Sequence, residues 1–170
     1  MRSHRVVFLV LVGVVCVCGW DRLVPAAVAG VETPFHRGVN LTGWLQAGSA
    51  RQIQFTTFTK QDLVNIKSLG CDVIRLPINL HFMTNGAPDY TVDPLFFYFL
   101  DQIVDWCEEL QLHLILDNHT FDVDASTEAD VGTVLVPVWT QMAEHYKDRS
   151  TYLYYEVLNE SHGIEDATWV

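Results

Sequence analysis

Basic residues are scarce in this chain: 10 Lys and Arg stand against 21 Asp and Glu. There is no run of them, so the clustered cations that a phosphate backbone requires are missing, which argues against nucleic acid as a partner. Cysteine is scarce as well, at four residues. Cys71 and Cys107 lie far apart and without metal-ligand spacing, so neither a metal nor a cofactor is expected. No Gly-x-Gly-x-x-Gly follows the first strand candidate, which removes the main signature of a nucleotide-binding doubly wound sheet. There is no low-complexity tract, no linker and no internal repeat of known solenoid length. The long apolar run, residues 6–17, is too short to cross a bilayer comfortably, so no stable membrane insertion is expected.

That apolar run follows Arg2, His4 and Arg5 and precedes Ala27-Val28-Ala29, a small-x-small cleavage site. Residues 1–29 therefore read as a signal peptide, and residues 30–170 as the mature part, secreted or extracytoplasmic. Cys16 and Cys18 fall inside the leader, and neither is preceded by the small residue a lipid anchor needs. Removing the leader leaves 7 basic and 20 acidic residues, a formal charge of −13. A neutral, polyhydroxylated ligand suits such a chain better than an anion. For an exported chain, one disulfide between Cys71 and Cys107 and two buried thiols both fit.

Helical and strand periods alternate along the mature part. Gly38–Leu41 is a strand candidate. Thr59-Lys60-Gln61-Asp62 reads as a capping-box start for a helix whose apolar face is Leu63, Ile66 and Leu69, stopped by Gly70. Val73–Pro77 is a second strand, ended by its proline. Asp93-Pro94 opens a helix with Phe96, Leu100, Ile103, Val104 and Cys107 at helical spacing. His113–Asp117 is a third strand, Trp139, Met142, Ala143 and Tyr146 mark a third helix, and Tyr154–Asn159 is a fourth strand. The order βαβαβαβ, with short apolar strands about 34–44 residues apart, predicts an α/β fold with a helix-covered parallel sheet.

Each strand end carries a polar residue: Asn40, Arg75, the Asp117-Asn118-His119 group, and Asn159 with Glu160. A parallel sheet gathers these ends on one rim, where α/β enzymes place their sites. Arg75 interrupts an apolar strand, so its guanidinium needs a carboxylate partner. That partner either completes a structural ion pair or is a catalytic carboxylate held in place. Asp117 either orients His119 or satisfies backbone donors at the strand end. Glu156 is expected to be structural and to need a partner of its own. His113 is expected to begin its strand, while His81, like Trp44, stands in a loop that fits lining a ligand groove. Trp44 also fits simple hydrophobic cover, and His162 carries less weight.

Arg37-Gly38-Val39-Asn40-Leu41, Ile74-Arg75-Leu76-Pro77, Leu116-Asp117-Asn118-His119 and Tyr155-Glu156-Val157-Leu158-Asn159-Glu160 occur in that order. Together, over residues 35–162, they resemble glycoside hydrolase family 5, the cellulase family of (β/α)8 TIM barrels. The resemblance implies a retaining glycoside hydrolase, endo-β-1,4-glucanase-like, acting on a β-linked polysaccharide or oligosaccharide. It gives Glu160 the role of general acid/base and Asn159 contact with the sugar 2-hydroxyl. It makes Arg75 the support of the nucleophile and places His119 at the same subsite. The retaining mechanism needs a second carboxyl about 5–5.5 Å away, which the family carries at the end of its seventh strand. A complete barrel runs to about 250 residues, so the chain is expected to supply about the first four βα units, with the acid/base but not the nucleophile. Alone it is expected to be inactive and to self-associate through open strand edges. The rival expectation is a non-catalytic glycan-binding or vestigial half barrel. Ser161 stands where many members carry proline.

Overall fold

The computed structural model describes residues 34–119, 131–160 and Ala167. The expected signal peptide lies outside these residues. Strands β1 (Gly38–Asn40), β2 (Val73–Ile78), β3 (His113–Asn118) and β4 (Leu153–Glu156) form one parallel sheet in the order β1-β2-β3-β4. Helices α1 (Lys60–Ser68), α2 (Pro94–Leu110) and α3 (Val136–Tyr146) connect them. Sequential parallel neighbours joined by helices are the repeating unit of a βα barrel.

Side-chain alternation along the strands separates two faces. Ile74, Leu76, Ile78, Leu114 and Leu116 point to the helical side and are fully buried there with Phe96, Leu100, Ile103, Val104 and Cys107 of α2. All five apolar positions expected on α2 are thus in the core. Asp93 caps this helix, its Oδ1 accepting from the Leu95 amide at 2.8 Å. On α1, the Asp62 carboxylate accepts from both the amide and the hydroxyl of Thr59, at 2.8 and 2.7 Å, completing the expected start. Gly70 then leaves the helix at φ +83°, a left-handed conformation that suits glycine.

The expectation differs from the structure in a few places. Leu63 is buried, but Leu69 is 74% exposed, because it is the C-cap beyond the last helical turn and no longer follows the helical face. On α3 the core face is Val138, Met142 and Tyr146, continued from Leu135 by the π-turn Val131–Leu135; Ala143 is exposed and Trp139 half-buried. Strand β4 ends at Glu156, three residues before the expected Asn159.

Strand β2 runs through Pro77 to Ile78 rather than stopping at the proline. Successive residues of a strand direct their backbone groups to opposite neighbours. The Arg75 carbonyl faces β1, where it accepts from the Leu41 amide at 3.0 Å. Pro77, two residues on, faces the same way, past the end of β1. Proline has no N–H to give on that side, the β1 ladder stops at Asn40, and the two chains pair again at the Leu45–Ile78 bridge.

Cys71 and Cys107 are both free and buried, which resolves that pair in favour of thiols. Burial in apolar surroundings pushes the Cys107 thiol up to about 12, so it packs as a small hydrophobe.

Candidate active site

The register of the sheet builds the site. Asn40 pairs with Arg75 across β1 and β2, while Pro77, Asp117 and Glu156 lie level across β2, β3 and β4. Asn40, Arg75, Asp117 and Glu156 therefore share the face opposite the helices, near the C-terminal strand ends. Positions 35 to 84 residues apart in sequence converge on one guanidinium.

Arg75 donates from Nε to Glu156 Oε2 and from Nη2 to Glu156 Oε1, both at 2.7 Å. This parallel two-bond pairing is the strongest geometry available to an arginine and a carboxylate. Nη2 also reaches Asn159 Oδ1 at 2.8 Å and Asp117 Oδ2 at 2.9 Å, and Nη1 reaches Asn40 Oδ1 at 3.3 Å. The Glu156 carboxyl is held below the usual carboxylate range by its hydrogen bonds to Arg75. Asp117 has the opposite bias. Its side chain is fully buried, and burial raises its carboxyl above the usual range, against the pull of His119 and the Arg75 charge. The Oδ2 atom of Asp117 also lies 2.8 Å from His119 Nδ1, so one oxygen meets both the guanidinium and the imidazole.

The loop after β4 is tied to the same rim. The Asn159 amide donates to the Asn118 carbonyl at 2.9 Å, and Asn118 Nδ2 donates to the Val157 carbonyl at 3.3 Å. The indole N–H of Trp139 holds that same Val157 carbonyl at 2.9 Å. Glu160 follows at φ +48°, in the left-handed region that non-glycine residues seldom adopt, and it is exposed. Its negative charge adds to the field that stabilises the Arg75 cation. A short polar loop pinned at Asn159 thus presents an acid at the mouth of the rim.

The structure gathers Arg75, His119, Asn159 and Glu160 at one rim, joined by Asn40, Asp117 and Glu156. Arg75's carboxylate partners are Glu156 and Asp117. Glu156 and its partner thus form the ion pair that each residue was expected to need. Asp117 meets His119, the first of its two expected roles. Trp44 is fully buried, its indole N–H donating to the Phe55 carbonyl at 3.0 Å, so it is hydrophobic cover rather than a sugar platform. His81 stacks on Phe82 at 5.5 Å inside a 3-10 turn. His113 begins β3 and packs between Phe35 and Tyr152, away from the rim. His162 lies outside the described residues. Trp139 was read only as a helix-face residue; that its indole would latch the β4 loop carried no sequence signal. Among the described residues, no His, Cys, Asp and Glu group is arranged to hold a metal ion.

A helix-covered parallel sheet with amide, imidazole and carboxyl groups on its C-terminal rim has the architecture of βα-barrel enzymes, which carry their sites on that rim. The chain belongs to glycoside hydrolase family 5, the cellulase family, whose sequence model matches residues 29–170. Endoglucanase C of Acetivibrio thermocellus is 28% identical over 148 residues, covering 79% of this chain and 43% of that protein. Endoglucanase B of Clostridium cellulovorans is 30% identical over 99 residues, covering 56% and 22%. Among solved structures, the Clostridial cellulose synthase subunit Z of Clostridioides difficile superimposes with a TM-score of 0.67 at 25% identity, covering 76% of this chain and 42% of that one. The fold is therefore a partial (β/α)8 barrel, and the chain spans less than half the length of these relatives.

Proposed function

We propose that the barrel to which these four βα units belong is a retaining hydrolase of a β-linked glucan, endo-β-1,4-glucanase-like, with Glu160 as its general acid/base. The observation that carries this reading is the Arg75–Asn159 hydrogen bond. It fixes the residue beside Glu160 to the strand ends, so the acid stands on a rigid base at the mouth. With Asn159 Oδ1 accepting from Arg75, the amide NH2 is the group that meets a sugar hydroxyl. A general acid must surrender a proton to the leaving oxygen, and its carboxyl then needs a neighbouring anion to raise its pKa. That neighbour is the second carboxylate of a retaining pair, about 5–5.5 Å away. Asp117 and Glu156 are both committed to Arg75 and cannot attack an anomeric carbon. Following the family pattern, we assign the nucleophile to the end of a seventh strand, and expect these units alone not to hydrolyse glycan.

The test is Glu160→Gln in the full-length protein. Turnover of a soluble β-1,4-glucan should fall at least about 100-fold while cellotetraose binding is kept. Unchanged turnover of a substrate with a poor leaving group would sink the assignment.

The same commitment of Asp117 and Glu156 favours one other reading, a glycan-binding half barrel without chemistry. Cellotetraose binding by the full-length protein with no released sugar after prolonged incubation would select it. We also propose export, from the cationic start, apolar run and Ala27-Val28-Ala29 site. N-terminal sequencing of the cell-free fraction should then begin at Gly30.

A further inference from the structure

We infer that Asp117 is a positioning residue for His119, locking its ring in the tautomer that carries the proton on Nδ1 and leaves Nε2 as an acceptor for a glycan hydroxyl; the ligand's identity rests on the hydrolase reading, but the lock does not. A neutral imidazole donates from one nitrogen and accepts at the other, and the partner of one decides the role of the other. His119 Nδ1 lies 2.8 Å from Asp117 Oδ2. That oxygen is fully buried and lies 2.9 Å from Arg75 Nη2, as its ion-pair partner. An oxygen facing a permanent cation is an acceptor, so the proton in the His119 contact belongs to the ring.

The carboxylate is itself immobile. Asp117 sits mid-register between Pro77 and Glu156 with its side chain sealed from solvent, whereas the His119 side chain is 30% exposed. The rigid end of the pair is thus in the core and the reporting end is at the rim. The His119 backbone is held as well, its amide donating to the Ile78 carbonyl at 2.9 Å. Among the described residues, the ionisable groups around the ring are Asp117, Glu156 from β4, and Arg75 from β2, which meets the same Asp117 oxygen.

The lock matters for recognition because a sugar hydroxyl is both donor and acceptor. A ring free to switch tautomers would meet it with a donor half the time. A ring fixed with Nε2 unprotonated accepts in every encounter, which removes an ordering cost from binding.

Nitrogen-15 NMR of the full chain labelled at histidine tests this directly, with His119→Gln used to assign the His119 signals. At neutral pH the wild type should show Nδ1 protonated and Nε2 unprotonated. Asp117→Asn keeps an acceptor oxygen of the same shape, so it should keep the tautomer. Asp117→Ala should release the ring to a mixture and weaken cellotetraose binding about 10-fold, the scale of one lost oriented hydrogen bond. If Asp117→Ala does not fold, the wild-type Nδ1 and Nε2 shifts decide. An unprotonated Nδ1 in the wild type, or an unchanged tautomer in folded Asp117→Ala, overturns the inference. A locked tautomer in a chain that binds no cellotetraose supports the lock and overturns the glycan reading instead.

Discussion

The two ends of one sheet face are held together by opposite means. At the C-terminal rim, Arg75 binds Glu156, Asp117, Asn159 and Asn40 through directional, charge-assisted bonds. At the other end, Phe35 packs edge-on to Tyr154 at 5.3 Å and against His113 at 5.5 Å, and His113 meets Tyr152 at 4.8 Å. The aromatic end gains from area and loses gradually when area is removed. The charged end loses everything at once, because each group removed leaves another without its counter-charge. A rim built this way keeps its groups in fixed places, which a site requires, and is costly to alter.

Removing the hub of the charged end should therefore have the largest effect. Arg75→Met keeps the stem but strands a fully buried Asp117 and a half-buried Glu156. The expected destabilisation is about 3 kcal/mol, the low end for a broken buried pair because the guanidinium is 24% exposed. Urea unfolding measures it. A loss under about 1 kcal/mol would mean that the rim is held by water as effectively as by Arg75, and the contrast between the ends would collapse.

Next comes the foot of β1, at the aromatic end. A Cβ on Gly38 would lie 2.5 Å from Val73 Cγ1 and 2.9 Å from the Val73 carbonyl oxygen. Gly38→Ala must therefore push β1 from β2, at a cost of about 1–3 kcal/mol. Phe35→Ala should cost less, about 1 kcal/mol, since the ring is only half-buried and its edge-on pairing adds a fraction of that. In both variants the His119 NMR signals should stay where they are. If they move, the two ends are coupled through the sheet.

The strand rhythm and the polar strand ends were legible because both follow from short-range pattern. Phe96 to Cys107 repeat at helical spacing and all lie in the core. What could not be read was which charges meet. Arg75 and Glu156 are 81 residues apart, and only the parallel register brings them level with Asp117. The need for partners was visible in each residue separately, but their sharing of one guanidinium was not. Trp44 stayed open between two readings for a related reason. It lies in an aperiodic stretch, and Phe55 and Phe58 pack on it from the 3-10 turn Phe55–Thr57 and its C-cap, which no periodicity announces.

The smallest effect is the most discriminating, because the two carboxylates at the charged end respond to acid in opposite senses. The Glu156 carboxyl is lower in the folded chain than in the unfolded one, through its hydrogen bonds to Arg75. Its contribution is complete above the ordinary glutamate value of 4.5 and is lost as pH falls through the folded value. Asp117 is raised by burial from an ordinary value of 3.8, so its contribution is complete below that value and is lost as pH rises through the folded one. These two slopes oppose each other within the wild-type acid limb, to which the lowered carboxyls of Asp62, Asp72 and Glu108 also contribute. Urea midpoints between pH 3 and pH 7 should therefore fall less steeply with acid in Glu156→Gln, which removes the destabilising term. They should fall more steeply in Asp117→Asn, which removes the opposing one. Phe35→Ala, at the aromatic end, touches neither of these carboxylates and should leave the contrast between their two variants unchanged. Equal slopes in all four proteins would mean that solvent screens the rim, and that its rigidity comes from the strands beneath rather than from the charges upon it.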